Sequence, residues 1–280
     1  MASLTRLIED LSDWKWQVRV RAAAALGAMQ DSRAVPPLVA ALGDEQWEVR
    51  EEAVKALVLM GEPAVQALCA ALRQGDLRGR AAEVLGKIGE PAVVPLCAVL
   101  KGEDRAASLQ AAITLGQIRD TRAVDDLGEA LRAAIPMWDP RTGELFEGDR
   151  QLARAAVTVL GRIGGAGAVP PLCTALQGWD REVRAWAADA LAAMAGRTPV
   201  PELRAAVPVL RRHVALWLLE PEPARLAYRR ALQRIEAATA SWKDLPLPSQ
   251  PPPPAGSLPR PASPPAPHPG VLPIPAREAE

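Results

Sequence analysis

Apolar residues along most of this chain recur at helical spacing, in blocks that restart about every 30 residues. The clearest block reads Val-Arg-x-x-Ala-Ala-x-x-Leu-Gly. It runs from Val18-Arg19 to Leu26-Gly27, from Val49-Arg50 to Leu57, and from Leu77-Arg78 to Leu85-Gly86. Degenerate copies end at Leu115-Gly116 and Leu160-Gly161. A good copy spans Val183-Arg184 to Leu191, and a worn one Ala224-Arg225 to Leu232. A second block follows each copy, as in Ala34-Val35-Pro36-Pro37-Leu38, Ala92-Val93-Val94-Pro95-Leu96 and Ala168-Val169-Pro170-Pro171-Leu172. Proline is tolerated in the first turn of a helix, where its missing N–H has no partner to lose, so these prolines predict helix starts. Gly61-Glu62-Pro63 and Gly89-Glu90-Pro91 then predict turns between units. Each unit is a helical hairpin whose apolar stripe one hairpin cannot bury; stacking neighbours closes the core.

The blocks resemble the HEAT repeat family, in its short form named after the phycobilisome lyases, over roughly residues 3 to 238. The resemblance implies an all-α, right-handed α-solenoid of about seven helix A–turn–helix B units with B helices lining the concave face. It also implies a ladder between units, made by an Asp in the turn and an Arg early in helix B. Asp13/Arg19 and Asp44/Arg50 match that spacing; Arg78, Arg184 and Arg225 keep only the arginine, and Ser108 and Ala153 have lost it. The middle of the array is therefore expected to be weak.

Two spacings exceed the period. Leu115 to Leu160 holds roughly 14 extra residues, an insertion loop at about 135–149 between helices A and B of the fifth unit. Asp139-Pro140-Arg141-Thr142-Gly143 is strong turn chemistry, and the flanking Trp138 and Phe146 either pair as a small hairpin or fold back on the solenoid edge. Gly196 to Glu202 reads as a plain linker, and Ala206 to Glu220 as a longer helix A carrying Trp217. The repeats occupy residues 1–240; from 241 to 280 proline dominates, and a disordered tail with polyproline II bias is expected.

Composition narrows the function classes. Apolar residues make up 49% of the 280, yet Phe and Tyr occur once each, so Ala, Leu and Val do the packing. Lys plus Arg balances Asp plus Glu at 33 each, so no global field draws the chain to nucleic acid or to a membrane surface. Met1 to Ser12 alternates apolar and charged residues, unlike a signal peptide, and no apolar run is long enough to span a bilayer. A monomeric, cytoplasmic protein is expected.

Candidate chemistry is sparse. Cys69, Cys97 and Cys173 each follow the helix-A leucine, a packing position where free thiols are expected, and no Cys-x-x-Cys or His cluster suggests a metal. The two histidines, His213 and His268, cannot supply the several His-Glu pairs of the HEAT-type deoxyhypusine hydroxylases. No phosphate loop, catalytic triad or paired-acid site stands out, so no cofactor is expected. The helix-B positions that vary between units remain. One column is Arg21, Glu52, Arg80, Gln110, Ala155, Trp186 and Ala227; a turn further lie Ala24, Lys55, Glu83, Ile113, Thr158, Asp189 and Arg230. Mixed charge with one large aromatic suits protein recognition better than a phosphate track, and the same columns also fit an ordinary solvated surface. Trp186, flanked by Arg154 and Asp189, is the favoured contact residue. Trp14, Trp16, Trp47 and Trp179, near helix-B starts, are expected to cover the solenoid edge. The leading reading is a non-catalytic scaffold gripping a protein partner; the resemblance leaves a bilin lyase subunit and a DNA glycosylase as alternatives.

Overall fold

The structure is a computed structural model that describes residues 3–135, 137–139, 144–146, 148–178, 180–197, 201–215 and 222–240. The chain divides into two units, Met1–Leu245 and Pro246–Glu280. The expected tail at 241–280, Arg141, Trp179 and Trp217 lie outside the described residues, as do the side chains of Trp138 and Phe146.

The first unit is an α-solenoid of seven hairpins. Its A helices are α1 (Leu4–Asp10), α3 (Val35–Ala41), α5 (Glu62–Ala71), α7 (Val93–Leu100), α9 (Val124–Ala134), α11 (Val169–Leu176) and α13 (Ala206–Ala215). The B helices are α2 (Trp16–Met29), α4 (Trp47–Met60), α6 (Arg78–Ile88), α8 (Arg105–Ile118), α10 (Arg150–Ile163), α12 (Arg181–Ala195) and α14 (Glu222–Ala240). Each B helix packs on the next B helix, and from α3 onward each A helix packs on the next A helix. This is the stacking that a hairpin with one apolar stripe requires.

The recurring leucines form the spine of the core. Leu26, Leu57, Leu85, Leu115, Leu160 and Leu191 on the B helices, and Leu38, Leu68, Leu96, Leu127, Leu172 and Leu210 on the A helices, have no exposed surface. The paired alanines are equally buried at Ala22/Ala23, Ala81/Ala82, Ala111/Ala112 and Ala187/Ala188, where a larger side chain would hold neighbouring helices apart. The glycine after the spine leucine serves the same approach. A Cβ on Gly27 would lie 2.7 Å from the Cα of Ala56 on α4, and one on Gly161 would lie 2.8 Å from the Cβ of Ala190 on α12. The last unit departs from the pattern: Leu232 is only half-buried, and Tyr228, Ala231 and Ile235 hold its core.

The predicted turns form as the residue chemistry demands. Gly61 (φ 66°) and Gly89 (φ 78°) reverse the chain between units in a conformation that costs other residues strain. Pro63 sits in the first turn of α5, and prolines likewise open α3 and α11. The insertion contains a two-stranded antiparallel hairpin, β1 (Met137–Asp139) and β2 (Glu144–Phe146), with Trp138 paired to Leu145. The chain rejoins the solenoid where the Asp149 N–H donates to the Ala134 carbonyl at 2.9 Å. No helix among the described residues is long and apolar enough to cross a membrane.

Candidate functional site on the helix-B face

The ladder residues set the frame. Arg19, itself buried, reaches forward into the next unit: its Nε and one terminal nitrogen donate to the two carboxylate oxygens of Asp44 at 2.7 and 2.8 Å. Its other terminal nitrogen donates to the carbonyl of Asp13 at 2.9 Å. Burial would raise the Asp44 carboxyl, but the Arg19 guanidinium, the Gln46 N–H and the charge of Arg50 outweigh it and hold the pKa below the ordinary value. The Asp13 carboxylate accepts from the Lys15 N–H.

The remaining arginines repeat half of this pattern. Arg50, Arg78 and Arg184 each donate to the carbonyl six residues back, on Asp44, Leu72 and Gly178, at 2.8, 2.8 and 2.9 Å, which ties the A–B turn to helix B. Arg50 meets no aspartate ahead: Leu72 stands six residues before Arg78, the place that Asp44 holds before Arg50. Arg184 reaches forward to the hydroxyl of Tyr228 at 3.3 Å.

In the expected weak middle the contacts differ in kind. At the vacated arginine position, Ser108 donates toward the Val99 and Gly102 carbonyls at 3.2 and 3.3 Å. Arg150, at the start of α10, pairs with the buried carboxylate of Asp180 in the next unit at 2.7 Å. A cavity of about 320 Å³ remains beside Ser108, bounded by Arg105, Asp149 and Leu152.

The predicted contact residues are dispersed along the first four units and gathered in the fifth and sixth. Arg21 is exposed and donates to the Gln17 carbonyl, Glu52 pairs with Lys55 at 3.0 Å, and Arg80 and Gln110 are half-buried on successive helices. Between α10 and α12, Arg154, Trp186 and Asp189 line one open cavity of about 270 Å³. The Arg154 guanidinium lies 5.4 Å from the Trp186 ring centroid, a cation–π contact that holds the indole at the cavity wall. Thr158, Gly161, Arg162 and Arg197 complete most of the lining. The close approach at Gly161 and Ala190 forms the floor of this cavity, so the repeat's packing glycine also shapes the site. Arg230 is exposed on α14, one unit further on at the register of Asp189.

Sequence reasoning passed over Arg162 and Arg197. Arg162 is one turn beyond Thr158, so extending the columns by four residues would have found it. Arg197 follows α12 in a segment read as linker, where no periodicity applies. Its side chain folds back toward the carbonyls of Gly161 and Arg162 at 3.4 and 3.5 Å.

Trp14 and Trp47, at helix-B starts, do not cover the edge as expected. Trp14 is 83% and Trp47 62% exposed, because the A–B turns are too short to bring another element over them. The thiols are free: Cys69 and Cys97 are buried and Cys173 half-buried. Burial pushes Cys69 and Cys173 up to about 11; burial, together with the Asp126 carboxylate, takes Cys97 to about 12. No group of metal-ligating side chains occurs among the described residues.

The family model for HEAT repeats matches residues 4–80, 74–136 and 144–220, well over half of the chain. The chain belongs to the HEAT repeat family. Among solved structures, this HEAT repeat chain is similar to the archaeal HEAT-like repeats protein from Thermococcus onnurineus, at 15% identity and TM-score 0.40, covering 85% of this chain and 98% of that one. It is similar to human deoxyhypusine hydroxylase at 23% identity and TM-score 0.39, with 84% of each chain covered. It is also similar to the complex of CpcE and CpcF of phycocyanin lyase from Nostoc, at 18% identity and TM-score 0.32, covering 84% and 95%. No curated protein matches the chain.

Proposed function

We propose that this HEAT repeat chain is a non-catalytic interaction scaffold that holds a segment of a partner protein on its helix-B face, with Trp186 as the anchor. The observation that carries this reading is the open cavity between α10 and α12. There a half-buried indole, fixed by Arg154, stands beside a carboxylate and two further guanidiniums. Aromatic and Arg side chains in such settings are the residues that dominate protein interfaces. The cavity has room for one large side chain, the scale of an anchor and not of an enclosed small-molecule site.

Capture of partners by the intact chain, by Trp186→Ala and by Trp186→Phe tests the reading. The alanine variant is expected to lose at least about tenfold in affinity for its specific partner, since truncating an anchor costs about 2 kcal/mol or more, and phenylalanine to restore part of it. Equal recovery of the same partners by all three proteins removes Trp186 and its cavity from the interface.

A further inference from the structure

The two ends of the helix-B face differ in how their charges are settled. In the first four units the two lysines within the B helices are held by glutamates on their own helices: Lys55 pairs with Glu52 at 3.0 Å, and Lys87 with Glu83 at 2.6 Å. Glu51, Glu52 and Glu83 alternate there with Arg21, Lys55, Arg80 and Lys87. Such i,i+3 and i,i+4 pairs leave little field for a ligand.

In the last three units the pattern changes. Arg154 and Arg162 on α10 and Arg230 and Arg234 on α14 are exposed, and none makes an ion pair with a described residue. Arg162, Ala193 and Arg234 occupy one register on three successive helices, as do Thr158, Asp189 and Arg230. Asp189 is the single carboxylate in these registers of units five to seven. Successive B helices stack about 8–10 Å apart, so these guanidiniums follow one path across the cavity that holds Trp186.

We propose that the occupant of this face is an acidic, extended segment of a partner protein. A carboxylate sits among Arg154, Arg162 and Arg197, the neighbouring apolar side chain packs on Trp186, and the segment continues acidic toward Arg230 and Arg234. A guanidinium takes a carboxylate with two parallel N–H donors, and the indole beside it offers an apolar face to the neighbouring side chain. A nucleic-acid strand fits less well. The glutamates of the first four units interrupt any continuous cationic track. The proposal rests on the reading of this face as the partner surface.

The test uses the full chain and labelled, soluble peptides of equal length carrying Glu, Gln or Lys at every second position around a central Leu, read by fluorescence anisotropy. The Glu peptide is expected to bind at least about tenfold tighter than the Gln peptide at low salt, and the advantage to shrink as salt rises. Arg162→Gln with Arg230→Gln is expected to abolish that advantage, whereas Lys55→Gln with Lys87→Gln leaves it intact. Trp186→Ala is expected to weaken the Glu and Gln peptides by the same factor. Equal binding of Glu and Gln peptides, both sensitive to Trp186→Ala, overturns the acidic preference and leaves the partner surface standing. Binding insensitive to Trp186→Ala overturns the surface itself. Tighter binding of a single-stranded oligonucleotide than of the Glu peptide also overturns the proposal.

Discussion

Replacing Gly27 by alanine isolates the helix–helix approach on which the stack depends. In an unobstructed helix the change stabilises, because alanine exceeds glycine by about 0.8–1 kcal/mol in intrinsic helix propensity. At Gly27 the new Cβ would lie 2.7 Å from both the Cα and the Cβ of Ala56, against the roughly 3.5–4.0 Å at which carbon atoms pack. The obstacle is partly backbone, so no rotamer change relieves it, and α2 must move about 1 Å from α4. Overpacking of this kind costs about 1–3 kcal/mol, and the backbone contact places Gly27 toward the upper end. The net expectation is a loss of about 1–2 kcal/mol. Gly79 is the internal control. It lies in α6, where an added Cβ would meet nothing within 4 Å, so Gly79→Ala is expected to gain up to about 1 kcal/mol. Matched thermal and urea melts followed by circular dichroism measure both, with the slope against urea checked for constancy because repeat arrays unfold in segments. If Gly27→Ala is as stable as Gly79→Ala, the close approach of the B helices is not what fixes that glycine.

Three further results follow from the same geometry. Asp44→Asn is expected to cost about 2 kcal/mol, below the 3–5 kcal/mol of a fully buried broken pair because Arg19 keeps the Asp13 carbonyl. The Asp44 pKa is depressed, so its contribution is fully present above the ordinary aspartate pKa of about 3.9 and is lost as pH falls through the lower folded value. Melts of the native chain and Asp44→Asn should therefore differ by a constant amount from neutral pH down to about pH 4 and converge below it; a difference that persists in acid refutes the ion-pair account. The thiols, raised to about 11, 12 and 11, should react with a disulfide reagent at mild alkaline pH only slowly in the folded chain, with Cys173 first, and promptly in urea. Rapid reaction of all three in the native state contradicts their burial.

The seven hairpins and most of their core were legible in the sequence because each depends on local chemistry. Helical spacing of Leu and Ala marks the buried stripe, proline marks the first turn, and glycine marks the reversal. Leu26 and its counterparts in the first six units had to be buried wherever the hairpin sat, since nothing else in the unit could cover that stripe. How far each link between units reaches was not legible. The resemblance implied a ladder between units without saying which side chains meet: Arg19 takes the carboxylate of Asp44, 25 residues ahead, and Arg150, outside the pattern, takes that of Asp180. The columns singled out Trp186, Arg154 and Asp189, but only the stacking of α10 on α12 makes them walls of one cavity and adds Arg162 and Arg197. The sequence by itself determined the repeating unit, because burial of an apolar stripe is a local demand. The tertiary structure decided the ladder and the site, because both are made between units, where reach and register set which side chains meet.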